Sequence, residues 1–110
     1  CRGGCCGILT HKASGIRFFF MNTHGSLNED AKIRYAGVFE QVEKRYNPDG
    51  LPSIFVGDFN VKPDHQMYDI IAGYWNDSFS DASVKEGTAN TFNATSLPSN
   101  TFIQYPAGVL

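Results

Sequence analysis

The chain has 110 residues, enough for one domain with a core and too few for two. Apolar residues make up 42% and aromatics 14%, which excludes a disordered chain. A formal net charge of −2, a pI near 5.8 and no basic spot denser than Lys44-Arg45 argue against a protein that coats nucleic acid through its charge, but not against an enzyme that meets phosphate through a divalent metal.

In chain order, the three cysteines come first: Cys1, Cys5 and Cys6 fit no zinc pattern. A disulfide would need an oxidising compartment and would leave one thiol over. The simpler reading is that Cys5 and Cys6 are small buried residues at a strand start. A strand is expected over residues 5–11, then a Lys12-Ala13-Ser14-Gly15 turn and a second strand over 16–23, together a hairpin. In the second strand Ile16, Phe18 and Phe20 share a face with Asn22 and His24, while Phe19 and Met21 take the other. Apolar side chains on both faces predict a strand covered on both sides. The Phe18-Phe19-Phe20-Met21 run reads as core and is far too short to span a membrane.

A helix is expected over 28–45, with Ser26 and Glu29 at the spacing of a capping box. Ala31, Tyr35, Val38, Phe39, Val42 and Tyr46 form its apolar stripe, and Glu40 and Lys44 an outward pair. Asn47-Pro48-Asp49-Gly50 stops it. A third strand over 53–58 is again apolar on both faces. A short helix follows over 64–72, with Met67, Ile70 and Ile71 inward. Beyond Gly73 two short strands are expected, over 88–92 and 101–105. His11 and His65 should face solvent, and Tyr74 and Trp75 should pack. Asn76-Asp77-Ser78 and Asn93-Ala94-Thr95 are glycosylation triplets, relevant only in a secreted parent. The cysteine start and the Pro106-Ala107-Gly108-Val109-Leu110 close read as a piece cut from a longer chain.

Strand, helix, strand in succession makes a crossover, which sets its two strands parallel and ends them at one edge of the sheet. Asn22 and His24 end one strand, Asp58 and Asn60 the other, at the edge where α/β sheets gather ligands. Asp58 and Asn60, two apart in extended backbone, should point the same way with Phe59 turned into the core. Gly57 leaves room just before them. An ionised carboxylate beside an amide and an imidazole is a start on a site for Mg²⁺ and phosphate. Read singly, His24 is a strand-end histidine and Asp58 a turn cap; it is their joint placement that argues for chemistry. Asn22 could equally just shape the loop.

Phe20-Met21-Asn22-Thr23-His24 resembles the Asn-Thr-His segment of the endonuclease/exonuclease/phosphatase superfamily. Pro52-Ser53-Ile54-Phe55-Val56-Gly57-Asp58-Phe59-Asn60, followed by Pro63 and Tyr68, resembles its Gly-Asp-Phe-Asn segment at a matching interval. Asp77-Ser78-Phe79, Gly87-Thr88 and Thr91-Phe92-Asn93 resemble its later stretches more weakly. The resemblance implies an α/β fold, part of a four-layer αββα sandwich of the DNase I-like type, with the 110 residues an incomplete domain lacking N- and C-terminal parts. It implies a phosphodiester or phosphomonoester hydrolase using Mg²⁺ or Mn²⁺. Asp58 would orient or deprotonate the attacking water near the metal, Asn60 would donate to a phosphate oxygen, and His24 would contact the scissile phosphate. Asp58 and Asn60 are the implied metal-side residues.

The family's metal-binding Glu and an upstream Asn would precede this stretch, and residues 1–15 do not replace them. Its late Asp and closing Asp-His pair are also missing, so the isolated chain is expected to be inactive. The alternatives are a binding or scaffold module of the same fold that has lost catalysis, and an unrelated α/β protein carrying both motifs by chance. The partner class is a phosphate ester: a nucleic acid, a phospholipid head group or a small ester. The motifs do not choose among them.

Overall fold

The computed structural model describes residues 3–86 and, as backbone, 102–104. In chain order the elements are β1 (Gly4–Thr10), β2 (Arg17–His24), α1 (Glu29–Tyr46), β3 (Ser53–Asp58), α2 (Gln66–Ala72), β4 (Asn76–Asp77), α3 (Ser78–Asp81) and β5 (Phe102–Gln104). The strands form one mixed sheet in the order β1-β2-β3-β5-β4, in which β2 and β3 run parallel and every other neighbouring pair antiparallel. The expected strand over 88–92 lies outside the described residues, as do Cys1, the Gly87-Thr88 segment and the Asn93 triplet.

The hairpin of β1 and β2 closes as its turn residues require. Gly15 takes φ +72°, a left-handed conformation natural to glycine, and the His11 N–H donates to the Ile16 carbonyl at 2.8 Å. Strand alternation then sets burial. Phe19, Met21 and Thr23 of β2 are buried, while Phe18 and Phe20 are only half-buried. Ser53 and Phe55 of β3 repeat the pattern, with Ile54 and Val56 half-buried. The two strands are thus closed on one face and part-open on the other, short of the two-sided cover their composition suggested. Phe55, wholly buried, lies at the centre of the core, with ring centroids of Phe39, Phe59 and Trp75 at 4.7, 4.8 and 5.2 Å. Cys5 and Cys6 lie in β1 near its start but are exposed, because β1 is the edge strand with few neighbours.

α1 corrects two expectations. Its cap is Asn28, whose side chain accepts from the Ala31 N–H at 3.0 Å; Ser26 stands one step further out and accepts from the Asn28 N–H. Glu29 therefore does not complete a box with Ser26 and is available for other partners. The buried line of the helix is Lys32, Ala36, Phe39 and Glu43, not the whole apolar stripe. Tyr35, Val38 and Tyr46 are exposed and, with Val42, line one wall of a groove of about 350 Å³ against β1 and β2. Both buried charges are partnered: Lys32 donates to Glu29, and Glu43 accepts from the Tyr74 hydroxyl at 2.7 Å and the Asn47 amide at 2.6 Å. Satisfied in this way, two ionic side chains can occupy positions that hydropathy assigns to the surface.

α2 buries Met67 and Ile71 but leaves Ile70 partly exposed, since a helix of two turns presents only a narrow face to the core. His65 caps it, accepting the Met67 N–H on Nδ1 at 3.0 Å, and is largely covered instead of facing solvent. Trp75 packs as expected, with its Nε1–H donated to Ser53 Oγ at 3.1 Å. Among the described residues no helix is long and apolar enough to cross a membrane.

Candidate active site

The parallel pairing of β2 and β3 sets Thr23 opposite Gly57 and His24 opposite Asp58 at the C-terminal edge of the sheet. His24 Nε2 lies 3.8 Å from Asp58 Oδ2, beyond hydrogen-bond reach but close enough to pair electrostatically when the imidazole is protonated. The two side chains are 54% and 57% exposed, open to a ligand. Asn22, also exposed, pairs with Val56 two residues back from the His24–Asp58 pair.

Two glycines let these strand ends approach. At Gly57, with φ +145°, an added Cβ would fall 2.0 Å from the Thr23 carbonyl oxygen. At Gly25 it would fall 2.6 Å from the Phe59 oxygen. The loop after β2 then ties to the end of β3: the Gly25 N–H donates to the Asp58 carbonyl at 2.7 Å, and Asn60 Nδ2 donates to the Gly25 carbonyl at 2.9 Å.

Asn60 reaches that position in a way its spacing did not foretell. β3 ends at Asp58, and Asn60 turns back with φ +53°, its own N–H donating to Asp58 Oδ1 at 2.9 Å. Asparagine tolerates this left-handed conformation better than most residues. Phe59 does enter the core, as alternation predicted. Asp58 is thus both the carboxylate at the sheet edge and the acceptor of a tight turn. One Nδ2 hydrogen of Asn60 is engaged by Gly25, and the amide has a second.

Two further polar clusters stand at helix starts, without any local motif to announce them. Glu29, in the first turn of α1, accepts from Lys32 and sits 2.6 Å from His65 Nε2. The Lys32 hydrogen bond, with His65 second, holds the Glu29 carboxyl below its ordinary range. Asp77, in the stretch of weaker resemblance, caps α3 and accepts the Tyr68 hydroxyl at 2.7 Å. A helix-start histidine after Pro63-Asp64 was the one usable signal for the first cluster; nothing in the sequence joins it to Glu29.

Among the described residues no group of three or more His, Cys, Asp or Glu side chains could hold a metal. The chemistry of Asp58 and Asn60 fits a hard cation, since Mg²⁺ takes oxygen ligands and often only one or two protein carboxylates. Their number alone falls short of a complete site.

No family model matches the sequence, and no curated protein matches it. Solved structures do. An endonuclease/exonuclease/phosphatase family protein from Bacteroides thetaiotaomicron is 28% identical, with a TM-score of 0.73 over 91% of this chain and 40% of its own. A mannosyl-6-phosphatase from Bacteroides thetaiotaomicron VPI-5482 is 29% identical, with a TM-score of 0.75 over 93% of this chain and 42% of its own. The chain carries part of an endonuclease/exonuclease/phosphatase domain. An endonuclease/exonuclease/phosphatase from Bacteroides vulgatus, 23% identical, adds likeness of fold at a TM-score of 0.83 over 93% of this chain and 43% of its own. The chain therefore spans well under half the length of these three endonuclease/exonuclease/phosphatase structures.

Proposed function

We propose that these residues are the middle of an endonuclease/exonuclease/phosphatase domain lacking N- and C-terminal parts, a four-layer αββα sandwich when complete. The complete parent hydrolyses a phosphodiester or phosphomonoester bond with Mg²⁺ or Mn²⁺. The observation that carries this reading is the in-register pairing of His24 with Asp58 at one open sheet edge, their side chains 3.8 Å apart. Asp58 orients the attacking water and draws its proton. Asn60 donates its remaining amide hydrogen to a phosphoryl oxygen. His24 donates to the scissile phosphate or to the departing ester oxygen. Donors fixed before the reaction act most strongly where charge builds on those oxygens. A bound divalent ion would supply further charge neutralisation there, and Asp58 and Asn60 are the residues of this chain that would help hold it.

The likeness to a mannosyl-6-phosphatase favours a small phosphate monoester over long nucleic acids, in line with the acidic balance of the chain. The incomplete ligand set keeps a second reading open, a binding module of the same fold without catalysis. Assay of the full-length parent with Mg²⁺ against a sugar 6-phosphate, a generic phosphodiester, DNA, RNA and sphingomyelin separates the two. Asp58→Ala and His24→Ala are each expected to lower kcat/KM at least ~100-fold. Activity that persists unchanged in both variants would sink the assignment, and no activity on any of these substrates would favour the binding module. The 110-residue chain alone is expected to be inactive.

A further inference from the structure

The two loops that carry the candidate site leave the sheet side by side and enter different helices. Residues 25–28 lead from His24 into α1, and residues 59–65 lead from Asp58 into α2. At the sheet end they are joined by the Gly25 N–H to the Asp58 carbonyl and by Asn60 Nδ2 to the Gly25 carbonyl. At the helix end they are joined again, by His65 and Glu29 at 2.6 Å across 36 residues of sequence. The loops thus form a closed ring, fastened by backbone and amide at one end and by a carboxylate–imidazole contact at the other.

The chemistry of the second fastening is fixed by its surroundings. His65 Nδ1 is occupied as acceptor of the Met67 N–H, so its ring proton sits on Nε2 and is donated to Glu29 Oε2. The other Glu29 oxygen accepts from Lys32, whose side chain is only 8% exposed, and this sets the carboxylate's direction. Glu29 stands at the end of the loop that leaves His24, and His65 at the end of the loop that leaves Asp58, so the contact between them reaches the edge through both loops.

We propose that Glu29 and His65 are positioning residues. By fastening the start of α1 to the start of α2, they hold the Gly25 and Asn60 turns in the register that keeps His24 beside Asp58. The proposal rests on the reading of His24, Asp58 and Asn60 as the site, but its test needs no catalysis, so failure of one leaves the other standing.

The test is amide hydrogen exchange by NMR on the protein and on His65→Asn. Asparagine can still cap α2 but is too short to reach Glu29. The Gly25 amide and the Asn60 amide report on the site end of the ring. The Phe19 amide, donated to the Pro52 carbonyl at 2.8 Å at the far end of the strand pair, reports on the fold as a whole. In His65→Asn the Gly25 and Asn60 amides are expected to exchange about tenfold faster with Phe19 within about twofold of its original rate. Glu29→Gln, which keeps an oxygen for Lys32, is expected to add little to that acceleration when combined with His65→Asn, since both changes weaken the same contact. Unchanged Gly25 and Asn60 exchange would overturn the proposal, and so would an acceleration shared equally by Phe19, which would mark a contact that only stabilises the fold.

Discussion

Gly57 is the residue on which the approach of the two strand ends depends. A methyl group there would enter the Thr23 carbonyl, and φ +145° is a conformation that side chains rarely adopt. Gly57→Ala is expected to cost about 3 kcal/mol or more in a urea unfolding curve, through strain and a forced separation of His24 from Asp58. Tyr68 shows a different sensitivity. Burial first, and then its hydrogen bond to Asp77, raises its hydroxyl above the usual phenol range. The sign follows from which state holds the proton more tightly. Because that is the folded state, the stabilisation is complete below the pKa of an unfolded tyrosine and is lost as pH rises through the folded value. Unfolding midpoints should therefore fall at strongly alkaline pH, and Tyr68→Phe should remove that part of the fall. At neutral pH Tyr68→Phe should cost about 1.5–3 kcal/mol, the range for a hydrogen bond to a charged acceptor.

At the scale of elements, α1 is the instructive case. Its apolar residues are distributed widely enough to draw a stripe through Tyr35, Val38 and Tyr46, yet the helix turns Lys32, Ala36, Phe39 and Glu43 inward. The turn places Phe39 against Phe55 and lets Glu43 collect the Tyr74 hydroxyl, 31 residues away. Phe39→Ala is accordingly expected to cost about 3–5 kcal/mol, the range for a buried aromatic cut back to methyl. Val38→Ser, on the exposed wall of the groove, should change the thermal midpoint little in these 110 residues. Equal losses in the two variants would restore the stripe drawn from hydropathy. The crossover, in contrast, was legible at once: a helix between two apolar strands leaves little choice but parallel strands, and β2 and β3 obey.

Over the whole molecule, the exposed wall of α1, the exposed edge strand β1 and the half-buried side of β2 and β3 belong with a chain that covers only 40–43% of its structural relatives. On the proposed reading, the rest of such a domain would meet these faces and supply the further ligands that a metal beside Asp58 and Asn60 needs. Activity is thus a property to measure in the parent. The His24–Asp58 edge, already assembled in these residues, is the part that can be changed one side chain at a time.

By itself the sequence determined the order of the elements as far as α2, the parallel pair and the meeting of His24 with Asp58, because strand alternation and crossover geometry act over short stretches and admit few solutions; β4 and α3 it did not foresee. It did not determine the left-handed turn of Asn60, the buried charges of α1 or the Glu29–His65 contact. In each a partner far along the chain takes part beside the local ones: the Gly25 carbonyl for Asn60, the Tyr74 hydroxyl for Glu43, an imidazole 36 residues on for Glu29. Polar groups go where their hydrogen bonds can be completed, and only the tertiary structure decides where that is.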